Sequence, residues 1–179
     1  KVFCTGTPFS KAECDLFEQL GVQSKFVQQF VSDEQFPQLY NDALAFVYPS
    51  LHEGFGIPIL DAFVNGCPTL LSNATCFPEV GGSAALYFDP QDENDFRKQL
   101  LRIIGTDDTA LKLRAEMIAR GKERAILFSW KRCAQETAEL YQDVAKDTLK
   151  IIEKKSNYEE PLLLSCKNLS DYEIGRAHV

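Results

Sequence analysis

The chain has 179 residues, 45% of them hydrophobic, which is enough for one buried core with an appendage. Its formal net charge of −7 argues against a general nucleic-acid binder, which would carry a basic face. It leaves room for a small phosphorylated ligand, which a few backbone amides can hold.

The six cysteines form no CxxC pair and show no zinc spacing. They read as reduced, mostly buried thiols rather than a disulfide scaffold or a metal site. No apolar run reaches the ~18 residues of a membrane span.

In chain order, residues 1–6 read as a strand. Ser10 and Glu13 make a capping box for a helix with Leu16, Phe17 and Leu20 on one face, stopped by Gly21. Residues 25–30 read as a second strand. Ser32 and Gln35 make a second capping box, ahead of a stripe of Phe36, Leu39 and Tyr40. Residues 44–48, "LAFVY", are continuously apolar, as buried parallel strands are.

Residues 57–65 read as a helix with Pro58 in its first turn and Gly66 beyond its end. Residues 68–71 and 84–88 read as strands. Asp92 caps a helix carrying Phe96, Leu100 and Ile103, and residues 106–128 are helical. Ser129 caps a last helix with Trp130, Cys133, Thr137, Leu140 and Val144 at helical spacing. Strands alternating with helices at short intervals predict an α/β fold: a Rossmann-like parallel sheet with flanking helices.

The stretch 50–61, "SLHEGFGIPILD", leaves the "LAFVY" strand where ligands of open parallel sheets bind. Its glycines permit close backbone approach, and the helix starting near Ile57 offers a positive end to an anion such as a diphosphate. Glu53 and Asp61 lie eight positions apart. In a fully helical segment that is ~12 Å, too far to share a proton or one metal ion. They can instead grip the two ends of an extended ligand with hydroxyls at both ends and a diphosphate between. The alternative is a solvent-facing loop with a capping glutamate.

Residues 48–90, together with the prelude "FVSDEQFPQLYNDALAFVYPS" and the later "SNATCFPEVGG", resemble the signature region of the group 1, retaining GT-B glycosyltransferases, glycosyltransferase family 4. The resemblance covers about residues 1–144. It implies the C-terminal half of a GT-B fold, whose other Rossmann-like domain holds the acceptor. Residues 1–128 would be the nucleotide-sugar-binding domain, incomplete at its N-terminus, and 129–152 a C-terminal crossing helix. Residues 153–172 would be a linker or extension. The tail 173–179, "EIGRAHV", resembles a translated sequencing adapter and is left out of the fold reading.

By the family motif, Glu53 would be catalytic, touching the donor hexose and stabilising positive charge near its anomeric carbon. Gly54, Phe55, Gly56 and Ile57 would offer amides to the sugar and diphosphate. Asp61 would hold the ribose, and Phe30 and Val31 would lie near the base through their backbone.

The resemblance implies a nucleoside diphosphate sugar as donor substrate, a saccharide or lipid-linked acceptor, no cofactor and no metal. The partners expected are the missing N-terminal GT-B domain and no nucleic acid. The place expected is the cytoplasm, with peripheral contact at the cytoplasmic membrane face through the missing part. Retention implies attack from the leaving-group face through an oxocarbenium-like state. A GT-B epimerase and a non-catalytic nucleotide-sugar-binding domain are the other readings.

The sequence departs from the motif at Asp61, where the family has a longer glutamate. His52 reads as shaping the loop and Glu79 as a structural carboxylate. Tyr48 and Phe55 stand near the site and read as core aromatics.

Overall fold

A computed structural model describes the backbone of residues 1–155 and the side chains up to residue 148. The extension after residue 155, with Cys166 and the tail 173–179, lies outside the described residues. The chain divides into two units, Lys1–Phe128 and Ser129–Val179.

The first unit runs β1 (Val2–Cys4), α1 (Lys11–Gln19), β2 (Phe26–Gln28), α2 (Phe36–Asp42), β3 (Phe46–Tyr48), α3 (Ile57–Val64), β4 (Thr69–Ser72), α4 (Phe77–Gly81), β5 (Ala85–Phe88), α5 (Glu93–Ile104) and α6 (Asp108–Ala125). All strand pairs are parallel, as the alternation predicts. They form two sheets rather than one: β1 pairs with β2, and β4 lies between β3 and β5.

The three-stranded sheet is covered on both faces. Side chains alternate across a strand, so Tyr48 and Leu71 turn one way with Tyr87, packing with Ile59, Phe63, Phe77 and Val80 of α3 and α4. Val47, Leu70 and Leu86 turn the other way, toward Phe96, Leu100 and Ile103 of α5 and Met117 of α6. Every residue of β4 is buried. Gly121 brings α6 close to α3, since a Cβ there would stand 2.8 Å from the Phe63 ring. The two-stranded sheet rests on a smaller aromatic group, in which Phe17 stacks on Phe26 at 4.3 Å.

The Ser10 capping box forms with both of its bonds. The Ser32 box forms only in half. The Ser32 amide donates to Gln35 Oε1 at 3.1 Å, while the Ser32 hydroxyl turns to Glu34. Pro37 is the reason. A helix capped at Ser32 would need an N–H at Pro37, so α2 starts at Phe36 with the proline in its first turn.

Helix α4 falls between two expected strands, in a stretch for which the sequence predicts no element, again with proline near its start. The thiols are less buried than expected: Cys67 is buried, Cys4 and Cys76 are half-buried, and Cys14 and Cys133 are exposed. The second unit carries α7 (Trp130–Lys155), three residues longer than expected. Ser129 Oγ accepts from the Arg132 amide at 3.1 Å, so its cap is as expected. Among the described residues no helix is long and apolar enough to cross a membrane.

Candidate functional site

Parallel strands end together, so β3 and β4 deliver their following loops to one edge of the sheet. Residues 49–56 leave β3, and residues 73–76 leave β4. Ser72, buried at the end of β4, donates its hydroxyl to the Ser50 carbonyl and ties the two loops at their roots.

Glu53 is half-buried between these loops. The Tyr48 hydroxyl donates to Glu53 Oε1 at 2.8 Å. The Glu53 amide donates to Thr75 Oγ1 at 3.3 Å, and the Cys76 thiol donates to the Glu53 carbonyl at 3.4 Å. Thr75 does this from φ 47°, an uncommon conformation for a β-branched residue. Burial, followed by the hydrogen bond to Glu53 and its charge, pushes the Tyr48 hydroxyl up to about 12, so it stays a donor at neutral pH.

The segment from Glu53 to Gly56 is a turn, not helix, so only Asp61 rides on α3. Gly56 precedes the helix at φ 88°, and a Cβ on it would stand 2.9 Å from Phe77 Cε1. Both facts call for glycine. No side chain caps α3, and Pro58 has no N–H to offer. The amides of Gly54, Phe55, Gly56 and Ile57 donate to no group among the described residues. Four backbone donors therefore gather at the positive end of a helix, beside a fixed carboxylate. Phe55 is exposed and stands edge-on to Phe128 at 5.8 Å.

Asp61 lies in the second turn of α3. Its carboxyl reaches the surface, yet desolvation raises its pKa from the ordinary aspartate value. Nearby Tyr40 is buried, and its hydroxyl is pushed up by burial first and the Asp61 charge next. Phe30 and Val31 follow β2, with Phe30 85% exposed and Val31 buried. No hydrogen bond or ring contact among the described residues joins them to the Glu53 turn. His52 is exposed, and its carbonyl accepts from Ser50 Oγ at 3.2 Å. Glu79 is exposed in α4, where its carbonyl accepts from Arg124.

The structure thus holds Glu53 and residues 54–57 in one turn ahead of α3, with Phe30 and Val31 in the segment that follows β2. The holders of Glu53 are the part sequence reasoning misses. Tyr48 reads as core, and Thr75 and Cys76 sit more than twenty positions downstream with only the fold to bring them back.

Comparison with known proteins follows the same lines. The family model described as glycosyl transferases group 1 matches residues 2–124. The chain is 42% identical over 113 residues to O-antigen chain mannosyltransferase B of Escherichia coli, covering 63% of this chain and 29% of that protein. It is 33% identical over 104 residues to the O-antigen chain mannosyltransferase RfbU of Salmonella typhimurium, covering 57% of this chain and 29% of that one. The chain spans less than a third of the length of these relatives.

Among solved structures it resembles sucrose-phosphate synthase from Thermosynechococcus elongatus, with a TM-score of 0.64, 22% identity and coverage of 81% of this chain and 38% of that one. It also resembles Anabaena HepE in complex with UDP and glucose, with a TM-score of 0.61, 20% identity and coverage of 74% and 36%. These likenesses carry the fold. By its family match the chain belongs to the group 1 glycosyltransferases, and its parallel sheets and structural likenesses give it their Rossmann-like, GT-B type of fold.

Proposed function

We propose that this chain is the donor-binding part of a retaining hexosyltransferase of glycosyltransferase family 4. The enzyme moves a hexose from a nucleoside diphosphate sugar to a saccharide or lipid-linked acceptor. The observation that carries this reading is the pairing of the fixed Glu53 carboxylate with four undonated amides, Gly54 to Ile57, at the start of α3. Such amides suit a diphosphate, and the carboxylate suits sugar hydroxyls and developing positive charge. The mannosyltransferase relatives and the UDP-bound neighbour agree with it.

On this reading Glu53 stabilises an oxocarbenium-like transition state while the acceptor attacks from the leaving-group face. Asp61 accepts from the ribose hydroxyls, and Phe30 and Val31 approach the base through their backbone. The group transfer needs no metal and no cofactor. The acceptor binds to an N-terminal GT-B domain, so the chain alone is inactive.

The test is Glu53→Ala in the full-length enzyme, assayed with a panel of nucleoside diphosphate hexoses. Turnover should fall at least ~100-fold with the fold intact, the scale of losing one electrostatic partner of a transition state. Turnover near the wild-type value would remove Glu53 from the reaction.

A further inference from the structure

We propose that Tyr48 is the positioning residue of this site. Its hydroxyl aims the Glu53 carboxylate, while its ring, seated on Phe77, sets where that carboxylate stands relative to the amides around Gly56. The proposal rests on the reading that Glu53 and those amides hold a nucleoside diphosphate sugar.

The end of β3 and the start of α3 converge on one buried ring, which α4 supplies. Tyr48, at the end of β3, lies 4.8 Å from the Phe77 ring centroid, tilted by 38°. Gly56, ahead of α3, is so close that a Cβ there would stand 2.9 Å from Phe77 Cε1. Phe77 opens α4 and has no solvent exposure. It is a common floor for the carboxylate's partner and for the amide turn. Thr75 and Cys76, directly before it in the chain, hold the Glu53 amide and carbonyl. Glu53 is thereby fixed at its backbone by the β4–α4 loop and at its tip by Tyr48.

A carboxylate has two oxygens and about four lone-pair sites. Tyr48 occupies one site on Oε1, which leaves Oε2 and the rest of Oε1 to the donor sugar. Without the hydroxyl the side chain is free to rotate, and a site built on rotatable groups loses the alignment that the transition state needs. The expected loss is therefore in turnover rather than in donor binding.

The full-length enzyme tests this with Tyr48→Phe, which keeps the ring on Phe77 and removes only the hydroxyl. The kcat should fall by about tenfold or more, the worth of a hydrogen bond to a charged group, while the donor KM stays within about threefold. On a Glu53→Ala background, Tyr48→Phe should change the residual turnover by less than about twofold, because the group it positions is gone. A further tenfold loss on that background would mean that Tyr48 acts by holding the fold, and would overturn the proposal.

Unchanged kcat in Tyr48→Phe, with Glu53→Ala inactive, would also overturn it while leaving Glu53 its role. Near-normal turnover in Glu53→Ala would strike the underlying reading instead. Phe77→Leu leaves the hydroxyl and loosens the floor, so it should raise the donor KM and lower kcat together. No change in either constant would count against a shared floor.

Discussion

The two parallel sheets use the same alternation of strand and helix and differ in what stands behind them. In β1, Val2 and Phe3 are 48% and 51% exposed, and no residue of β1 or β2 is buried. In β4 all four residues are buried, because helices pack on both faces of its sheet. Parallel strands are normally covered on both sides, so the second sheet meets the usual condition and the first meets it only in part. The Glu53 turn grows from the covered sheet. A carboxylate aimed to within a fraction of an ångström needs such a support.

The contrast breaks if equivalent rings matter equally in the two regions. Phe77→Ala should destabilise the chain by about 3–5 kcal/mol, as a wholly buried ring does. Phe26→Ala, at a half-buried position, should cost about 1–2 kcal/mol. Urea midpoints at unchanged slope measure both, and equal shifts would erase the distinction.

A pair of glycines sharpens it. Gly21 and Gly56 both have positive φ, but a Cβ at Gly21 meets nothing within 4 Å, whereas at Gly56 it meets Phe77 and Ile59. Gly21→Ala should cost about 1–2 kcal/mol from the backbone alone. Gly56→Ala adds the overlap and should cost about 2–4 kcal/mol. The same urea unfolding decides it, with equal values pointing to backbone strain as the whole effect.

A separate contrast is alkaline. Tyr48 and Tyr87 hydroxyls are both pushed up to about 12, Tyr87 by burial against a small opposing effect of Arg124. The folded chain therefore favours their protonated forms. Their contribution is complete below the ordinary tyrosine value of ~10 and is lost as pH rises through about 12. Every tyrosine lies outside residues 1–35. Stability followed between those limits, alongside tyrosinate absorbance, should fall in step with ionisation. A flat profile would show that neither hydroxyl is linked to folding.

Much of this molecule is legible from the chain because the signals are local. The Ser10 box, the Asp92 and Ser129 caps and the contiguous turn from Glu53 to Ile57 depend on residues a few positions apart. The split into two sheets is not legible, since alternation reports strands and not their partners. The Ser32 box misleads because the motif ignores Pro37. The short α4 is hidden by Pro78 in its first turn, by Gly81 at its end and by Gly82 just beyond it. Thr75 and Cys76 reach Glu53 only through the pairing of β3 with β4, which no local pattern contains. Tyr48 is nearer in sequence, five residues from Glu53, but the bond depends on the path of the intervening loop.

The amides of residues 54–57 belong to the backbone, which every residue type shares. Genetic variation therefore samples that part of the site unevenly. Phe55 and Ile57 project outward and can change identity while their N–H groups stay in place. Gly56 changes only at a cost, because its φ and the ring beneath it both oppose a side chain. A catalogue of tolerated substitutions would record a single invariant position with no functional group and miss the donors on either side of it. What is inherited at this turn is a path of the chain, and glycine is its only visible trace.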